Sequence, residues 1–284
     1  MLLLPSAVIV FGVIFYPVLR TLIISFFEVN SAVPITTPFV GVRNYSDIFG
    51  NADFWSSIGR TLYFTIGSTV LELVLGMGLA LLLNAPIKLR WLFRAIVVLP
   101  WALPTVVNGA MWKGVFNAQY GSLNALLTQL HLIHAYKLWL GTPHSAMNSL
   151  IIADVWKTTP LVAFFLLAGL QGIPSEIYES VRVDGAGSVR AFFSITLPLL
   201  IPSISIVLIL RTIDAFKVFD LVYVLTGGGP ADGTQTIAYF TYVQAFSDQR
   251  FGYGSALATV IVACILVLSA IYLRLLRRDE MSLL

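Results

Sequence analysis

The sequence is poor in charged residues and nearly devoid of cysteine. Asp, Glu, Lys and Arg make up 11% of the 284 residues, whereas hydrophobic residues make up 58%, and the mean hydropathy is +0.88. A typical soluble domain carries about 25% charged residues, so this composition excludes that class and indicates a membrane protein. The single cysteine, Cys264, excludes an internal disulfide. The net charge of +3, without a basic block, excludes a nucleic-acid-binding surface.

Motifs for phosphate and metal chemistry are also missing. The chain has no Gly-x-x-x-x-Gly-Lys-[Ser/Thr] phosphate loop, and the stretch TGGGPADGT at 226–234 lacks the lysine. By itself that stretch is typical of a flexible connector. His131, His134 and His144 fall in one connector without the tight spacing of metal ligands, so we expect no metal site.

Long apolar runs recur along the whole chain. A membrane-spanning helix needs about 20 mostly apolar residues, and six segments meet this length: about 3–27, 58–83, 93–116, 147–172, 197–225 and 255–276. The first has no basic leader and no cleavage signal, so we interpret it as a retained span. We predict an all-α membrane protein with six transmembrane helices in one domain, residues 1–284.

The distribution of basic residues predicts the orientation. Two short connectors, about 84–92 and 173–196, and the C-terminal tail contain or adjoin a group of basic residues: Lys88, Arg90, Arg94, Arg182, Arg190, Arg274, Arg277 and Arg278. Three long connectors, about 28–57, 117–146 and 226–254, carry few. Because positive residues favour the cytoplasmic side, we expect the short connectors and both termini in the cytoplasm.

The second short connector is charged and contains a glycine-rich turn. From Glu176 it reads EIYESVRVDGAGSVRAFFSITLPLL. Ser175 can cap a helix whose first turns carry Glu176 and Glu179, where the helix dipole favours carboxylates. The turn at 184–187 separates this helix from a second short one that Ser188 can cap. The connector is therefore either a hairpin that rests on the bilayer or a docking element for a cytoplasmic partner.

Several charged residues fall inside the predicted spans, where they are costly and usually face a cavity or a partner. Asp154 and Lys157 are three residues apart and can pair on one helix face. The same spacing relates Arg211 to Asp214, Asp214 to Lys217, and Lys217 to Asp220. These residues form either internal salt bridges or a hydrophilic translocation path.

Two further intramembrane features bear on that choice. Glu72 has no partner at helical spacing, so a hydrogen bond between helices is its favoured role. In LPWALPT, Pro100 and Pro104 are expected to break the third span, with Trp101 and Thr105 one turn apart on the broken segment. Irregular backbone at membrane depth is tolerated mainly where protein or a cavity covers it.

The charged connector resembles the EAA loop of ABC-importer permease subunits. The matching positions are Glu179, Asp184-Gly185-Ala186 and Leu197-Pro198, while Ser180-Val181 stands where small alanines are usual. The stretches VGVRNY, LPWALPT, WKTTP, RTIDAFKVFDLVYVLTGGGP and FGYGSALA are similar to sugar permeases of the maltose/trehalose type, in particular their F-subunit-like half. The resemblance covers nearly the whole chain. It implies a type I ABC importer permease fold with a cytoplasmic coupling helix in the loop 175–198.

The resemblance also implies partners in the bacterial or archaeal cytoplasmic membrane. These are a second homologous permease that completes a heterodimer, two cytoplasmic ATPase subunits and an extracytoplasmic sugar-binding protein. ATP and Mg²⁺ belong to the ATPase subunits, and this chain is expected to bind no cofactor and to be no enzyme. The implied ATPase-docking residues are Glu176, Tyr178, Glu179, Val181, Arg182, Asp184, Gly185 and Ala186.

The same family holds its sugar midway across the membrane. The corresponding positions here are Trp101, Thr105, Asp154, Lys157, Thr158, Leu161, Arg211, Ala215 and Val218, and Lys157, Arg211, Ala215 and Val218 differ in type from the maltose permeases. Asp214 and Lys217 are added to this substrate pathway because of their charge. The implied cargo is a di- or oligosaccharide such as trehalose or maltose.

Two alternatives remain open. A glycerol-phosphate importer has the same kind of permease, and Lys157, Arg211 and Lys217 would suit a phosphate. An ion-coupled secondary transporter would use the intramembrane carboxylates as proton or sodium sites. That class predicts internal repeats, and the two halves of the sequence show no convincing repeat.

The missing phosphate loop generates a first prediction. The purified chain should hydrolyse no ATP, measured as phosphate release in detergent against a protein-free blank. Turnover by the isolated chain would contradict the assignment of ATP hydrolysis to a separate subunit.

Overall fold

The computed structural model describes residues 9–30, 37–86, 88–183 and 187–282. Within these ranges the chain is helical and has no β-strand. The helices are α1 (Tyr16–Ile24), α2 (Arg43–Gly50), α3 (Ala52–Asn84), α4 (Arg90–Ala102), α5 (Thr105–Val115), α6 (Ser122–Gln129), α7 (Pro143–Gln171), α8 (Ser175–Val183), α9 (Ser188–Ala191), α10 (Leu197–Leu199), α11 (Ile201–Phe216), α12 (Asp220–Leu225), α13 (Ile237–Tyr242) and α14 (Phe251–Ser282). Stretches of π-helix precede α1 (Ile9–Phe15) and follow α9 (Phe192–Thr196) and α13 (Val243–Ser247). The prediction of an all-α protein is confirmed for the described residues.

Three of the predicted spans are single long helices. α3, α7 and the Phe251–Tyr272 part of α14 are each long and apolar enough to cross a bilayer. The first predicted span contains a shorter apolar helix, Phe11–Ile24. Length and composition therefore support three crossings in the described residues, and up to five if each of two bent helix pairs counts as one span.

The third predicted span is broken at a sharp corner. α4 and α5 meet at an angle of 92°. Pro104 disfavours helical conformation at the preceding Leu103, which is extended with φ −73° and ψ 135°. Pro100 lies inside α4, so of the two prolines expected to break this span only Pro104 does so. The corner separates Trp101, near the end of α4, from Thr105, the first residue of α5.

The fifth predicted span, 197–225, is not one helix. Residues Ser188–Leu199 form a helix that turns by 64° into α11. The bend lies between Pro198 and Pro202, neither of which can donate a backbone hydrogen bond. α11 ends at Phe216, and α12 is a separate short helix. The predicted helix 197–225 is therefore wrong at both ends, because the bent helix begins at Ser188 and ends at Phe216.

The connectors predicted to face outward contain ordered contacts. The segment after α1 meets the start of α14 through an antiparallel backbone bridge between Asn30 and Arg250. Asn44 on α2 donates from Nδ2 to the carbonyl oxygens of Ser25 (2.8 Å) and Phe27 (3.1 Å). The connector after α1 and the connector before α14 are thus joined at one end of the helices.

The glycine-rich stretch 226–234 has a defined conformation. The hydroxyls of Thr226 and Thr234 are 2.7 Å apart and share a hydrogen bond. Gly228 has φ +82°, and a Cβ atom there would lie 2.6 Å from the Tyr239 ring. Only glycine adopts this backbone conformation readily and leaves room for the ring. The stretch is therefore an ordered loop rather than a flexible connector.

α3 and α7 pack with almost no space between their backbones. At Gly76 a Cβ atom would lie 2.6 Å from Cγ1 of Val162 and 3.2 Å from the backbone nitrogen of Ala163. Small residues permit such approach between membrane helices, where packing rather than hydrophobic burial drives association. The pair forms a firm support for the side chains that both helices carry.

This contact generates a second prediction. Gly76→Ala should force α3 and α7 apart and destabilise the fold by about 1–3 kcal/mol, measured as a lower Tm of the purified protein in detergent. Gly78→Ala on the same helix is the matched control, because nothing lies within 4 Å of its Cβ position. Equal melting temperatures for the two variants would contradict the close approach.

Candidate functional site

One cavity of about 240 Å³ gathers polar and aromatic residues that are distant in the sequence. It lies between the α4–α5 corner, the middle of α7, the end of α11 and the start of α12. Its lining residues are Trp101, Thr105, Asp154, Lys157, Thr158, Leu161, Arg211, Asp214, Lys217, Val218, Phe219, Asp220 and Leu221. All predicted substrate-pathway residues except Ala215 are among them.

Ala215 lies outside the cavity, contrary to expectation. Its side chain is 2% exposed and belongs to a hydrophobic cluster that includes Phe64 and Leu221. Successive residues of an α-helix point about 100° apart. Asp214 is therefore exposed towards the cavity while its neighbour Ala215 packs in the core.

A buried ion cluster joins three helices beside the cavity. Arg211 on α11 donates from Nε to Glu72 Oε2 (2.5 Å) and from Nη2 to Glu72 Oε1 (2.8 Å), so the pair is bidentate. Nη2 also donates to Asp154 Oδ2 on α7 at 2.9 Å. The side chains of Arg211 and Glu72 are 6% and 0% exposed. Charges so deeply buried require partners of this kind.

The other charged pairs only partly follow the helical spacing. Lys217 Nζ lies 3.1 Å from Asp214 Oδ1, as expected. Lys157 donates to the hydroxyl of Thr105 at 3.1 Å across the α4–α5 corner, instead of pairing with Asp154. Lys217 and Asp220 do not share a helix face, because α11 ends before both of them.

The cavity lining is electrically balanced. It contains three carboxylates, on Asp154, Asp214 and Asp220, and three cations, on Lys157, Arg211 and Lys217. Such a lining can donate to and accept from neutral hydroxyl groups without a net preference for anions. Among the residues that the structure describes, no group of three or more His, Cys, Asp or Glu side chains is placed to hold a metal ion.

Aromatic rings begin in the cavity and continue away from it. Trp101 is 46% exposed, and Phe219 lines the wall near the start of α12. The Phe219 ring lies 5.6 Å from Tyr223 and 5.1 Å from Tyr242, measured between ring centroids. Tyr239 stacks on Phe219 at 6.1 Å, and burial raises the pKa of its hydroxyl, which stays protonated at neutral pH. The rings of Phe219, Tyr223, Tyr239 and Tyr242 form one contiguous cluster.

The predicted docking residues lie on and after α8. Glu176 and Glu179 are exposed, whereas Tyr178 is half-buried with its hydroxyl 3.2 Å from that of Thr196. Val181 is half-buried, and Arg182 is described only as part of the helix backbone. The predicted residues Asp184, Gly185 and Ala186 lie outside the described residues.

Tyr178 also borders a second cavity. This groove of about 500 Å³ is formed with the start of the bent helix, at Val189, Phe192 and Phe193, and with the end of α3, at Leu81. The predicted helix is present as α8. Its first residue is Ser175, so Ser175 lies inside the helix rather than at the capping position before it. The groove brings the predicted docking helix next to the segment that leads into α11.

The chain matches the model of a known protein family. The matching family is described as binding-protein-dependent transport system inner membrane component, and the match covers residues 72–279. The chain belongs to this family. It is therefore an ABC importer permease, as the resemblance implied.

Relatives and a solved structure agree with this membership. The permease is 42% identical over 98% of its length to the trehalose/maltose transport system permease protein MalF of Thermococcus litoralis, of which it covers 94%. It is 39% identical over 99% of its length to the sulfoquinovosyl glycerol transport system permease protein SmoG of Agrobacterium fabrum, of which it covers 90%. A chain in the crystal structure of a bacterial alginate ABC transporter, in complex with an alginate pentasaccharide-bound periplasmic protein, has a TM-score of 0.84 at 21% identity, covering 98% of this chain and 93% of that chain. The ABC importer permease fold is thus confirmed.

The permease cavity contains residues that sequence reasoning left out. Phe219 and Leu221 line it because the chain turns after α11, and the expected straight helix hid that turn. Asp220, which was singled out in the sequence for its charge alone, lines it as well. Glu72 does not line the cavity, but it accepts two hydrogen bonds from Arg211, which does. The sequence did contain a reason to pair Glu72 with Arg211. A carboxylate at membrane depth needs a cation, and Arg211 is a cation that falls inside another predicted span.

Proposed function

We propose that this permease is the transmembrane subunit of an ATP-driven importer for a sugar, with a di- or oligosaccharide such as trehalose or maltose as cargo. The observation that carries the proposal is the central cavity, where balanced charges, a hydroxyl and aromatic rings converge. Sugar hydroxyls both donate and accept hydrogen bonds, which carboxylates and cationic side chains satisfy. The apolar faces of the sugar rings pack on aromatic side chains such as Trp101 and Phe219.

The names of the relatives support the same cargo class. One 42%-identical relative is a trehalose/maltose permease, and the structural neighbour belongs to an importer of the polysaccharide alginate. A glycerol-phosphate cargo fits less well. Lys157, Arg211 and Lys217 would have to attract a phosphate while Asp154, Asp214 and Asp220 repel it, and like charges in one small site are unfavourable.

We propose six crossings in one transmembrane domain, residues 1–284. They are the apolar helix that ends at Ile24, α3, the bent pair α4–α5, α7, the bent helix 188–216 and α14. The basic short connectors then face the cytoplasm, as do both termini. This topology puts the α8 segment on the cytoplasmic side and the joined first and last connectors on the outer side.

The family to which the chain belongs, a component of binding-protein-dependent transport systems, supports further subunits. We propose that a second, homologous subunit closes the pathway, that two ATPase subunits dock on α8 and residues 184–186, and that a sugar-binding protein contacts the outer connectors. ATP and Mg²⁺ act on the ATPase subunits. The helix Ser188–Leu199 leads through the 64° bend into α11, so movement at the dock would be passed along this helix pair to Arg211, in a rigid-body transition.

Two substitutions test the cargo site. Asp214→Ala and Trp101→Ala should each lower sugar uptake by the complete transporter about tenfold, since each removes a hydrogen-bonding or stacking contact worth roughly 1–2 kcal/mol. Uptake of labelled trehalose and maltose is measured in cells that express all subunits. Trp91→Ala is the matched control, because Trp91 is 69% exposed at the other end of α4. Loss of complex assembly instead of uptake would make these residues structural.

A charge reversal tests the dock. Glu179→Lys should uncouple ATP hydrolysis from uptake, because the exposed carboxylate would meet the ATPase surface. Sugar uptake and ATPase activity are measured on the same proteoliposomes, with Gln171→Lys, an exposed position at the end of α7, as the control. Normal coupling in the Glu179 variant would contradict docking through α8.

A further inference from the structure

Glu72 stands behind the cavity rather than in it. Its side chain is fully buried on α3, and it is not among the cavity-lining residues. Its partner, Arg211, does line the cavity. A cargo molecule in the cavity would therefore contact Arg211 and not Glu72, so any influence of Glu72 on the cargo must pass through the guanidinium group.

The donors of Arg211 are used unequally. A guanidinium group has five N–H donors in one plane. Nε and one Nη2 hydrogen go to Glu72, and the second Nη2 hydrogen goes to Asp154. Nη1 lies 4.0 Å from Asp214 Oδ2, which is beyond hydrogen-bond distance. Nη1 makes no hydrogen bond with the residues that the structure describes, and the Asp214 beside it lines the cavity.

The bidentate contact with Glu72 determines which edge of the Arg211 guanidinium group remains available to a cargo molecule. Two parallel hydrogen bonds fix the plane of a guanidinium group as well as its position, whereas one bond leaves it free to rotate. Asp154 contributes a single bond, through Nη2 alone. Without the Glu72 charge, Arg211 would turn towards Asp154 and Asp214, and its free edge would be occupied by a carboxylate of the protein.

We propose that Glu72 is a positioning residue of the cargo site, which holds Arg211 so that Nη1 donates to a hydroxyl group of the sugar. This inference rests on the proposed function and adds to it a residue that does not touch the cargo. Asp214, at 55% side-chain exposure and paired with Lys217, supplies the matching acceptor beside Nη1. The sugar hydroxyl would thus meet one donor and one acceptor whose orientations are set from outside the cavity.

The test uses the complete transporter in proteoliposomes with its binding protein loaded with labelled trehalose or maltose. The measured quantity is sugar transported per ATP hydrolysed, together with the yield of assembled complex. Glu72→Gln should lower this ratio about tenfold, because it removes a charge-assisted contact, while assembly and binding-protein-stimulated ATP hydrolysis stay within about twofold of wild type. Glu72→Asp, which keeps the charge, should recover part of the loss.

Two further variants separate positioning from structural support. In an Arg211→Gln background, Glu72→Gln should cause no additional loss, since effects that pass through one residue are not additive. Thr69→Val is the matched control: this buried hydroxyl lies on the same helix and has no hydrogen-bond partner among the described residues, so its removal should leave the ratio unchanged.

The outcomes are distinct. An unchanged ratio in Glu72→Gln, or additive losses in the double variant, would overturn the inference. If Glu72→Gln does not assemble, Arg211→Lys decides the question, because lysine keeps the charge without the bidentate geometry. The inference expects the same loss there, and a normal ratio would overturn it. Failure of the wild-type transporter to move any sugar would contradict the proposed function instead.

Discussion

The pairing of Arg211 with Glu72 and Asp154 is the interaction on which the arrangement of the central cavity depends. Each of these charges would be strongly unfavourable alone at membrane depth. The three side chains come from α11, α3 and α7. The helices must therefore keep one register relative to each other, and the rest of the cavity lining follows from that register.

α11 connects the two ends of the proposed mechanism. Its first turn follows the bend that leads from the docking segment, and its last turns carry Arg211 and Asp214. The chain then turns after Phe216, and this turn brings Phe219 and Asp220 into the cavity. α11 thus carries Arg211 and Asp214, and the turn at its C-terminal end supplies Phe219 to the aromatic wall. Irregular backbone at this depth is compatible with a membrane only where it borders protein or a cavity.

The sequence predicted the features that depend on local pattern. Hydropathy located the long helices α3, α7 and α14, and the family resemblance, together with the intramembrane charges, named most of the residues that line the cavity. It did not predict which proline breaks a span: Pro100 and Pro104 carry the same local signal, but only the second stands at a corner. It also could not identify the partner of Glu72, because the pair is 139 residues apart and no local spacing encodes it. Ala215 was misplaced because neighbouring helix positions face different environments.

The glycine at position 76 has a consequence for how the molecule moves. With the backbones of α3 and α7 this close to contact, neither helix can slide or rotate on the other without steric overlap, because packed interfaces shift between discrete arrangements rather than deform continuously. The two helices therefore behave as one rigid unit. In the proposed transport cycle any displacement of α3 is therefore also a displacement of α7, and Arg211 couples α11 to both helices.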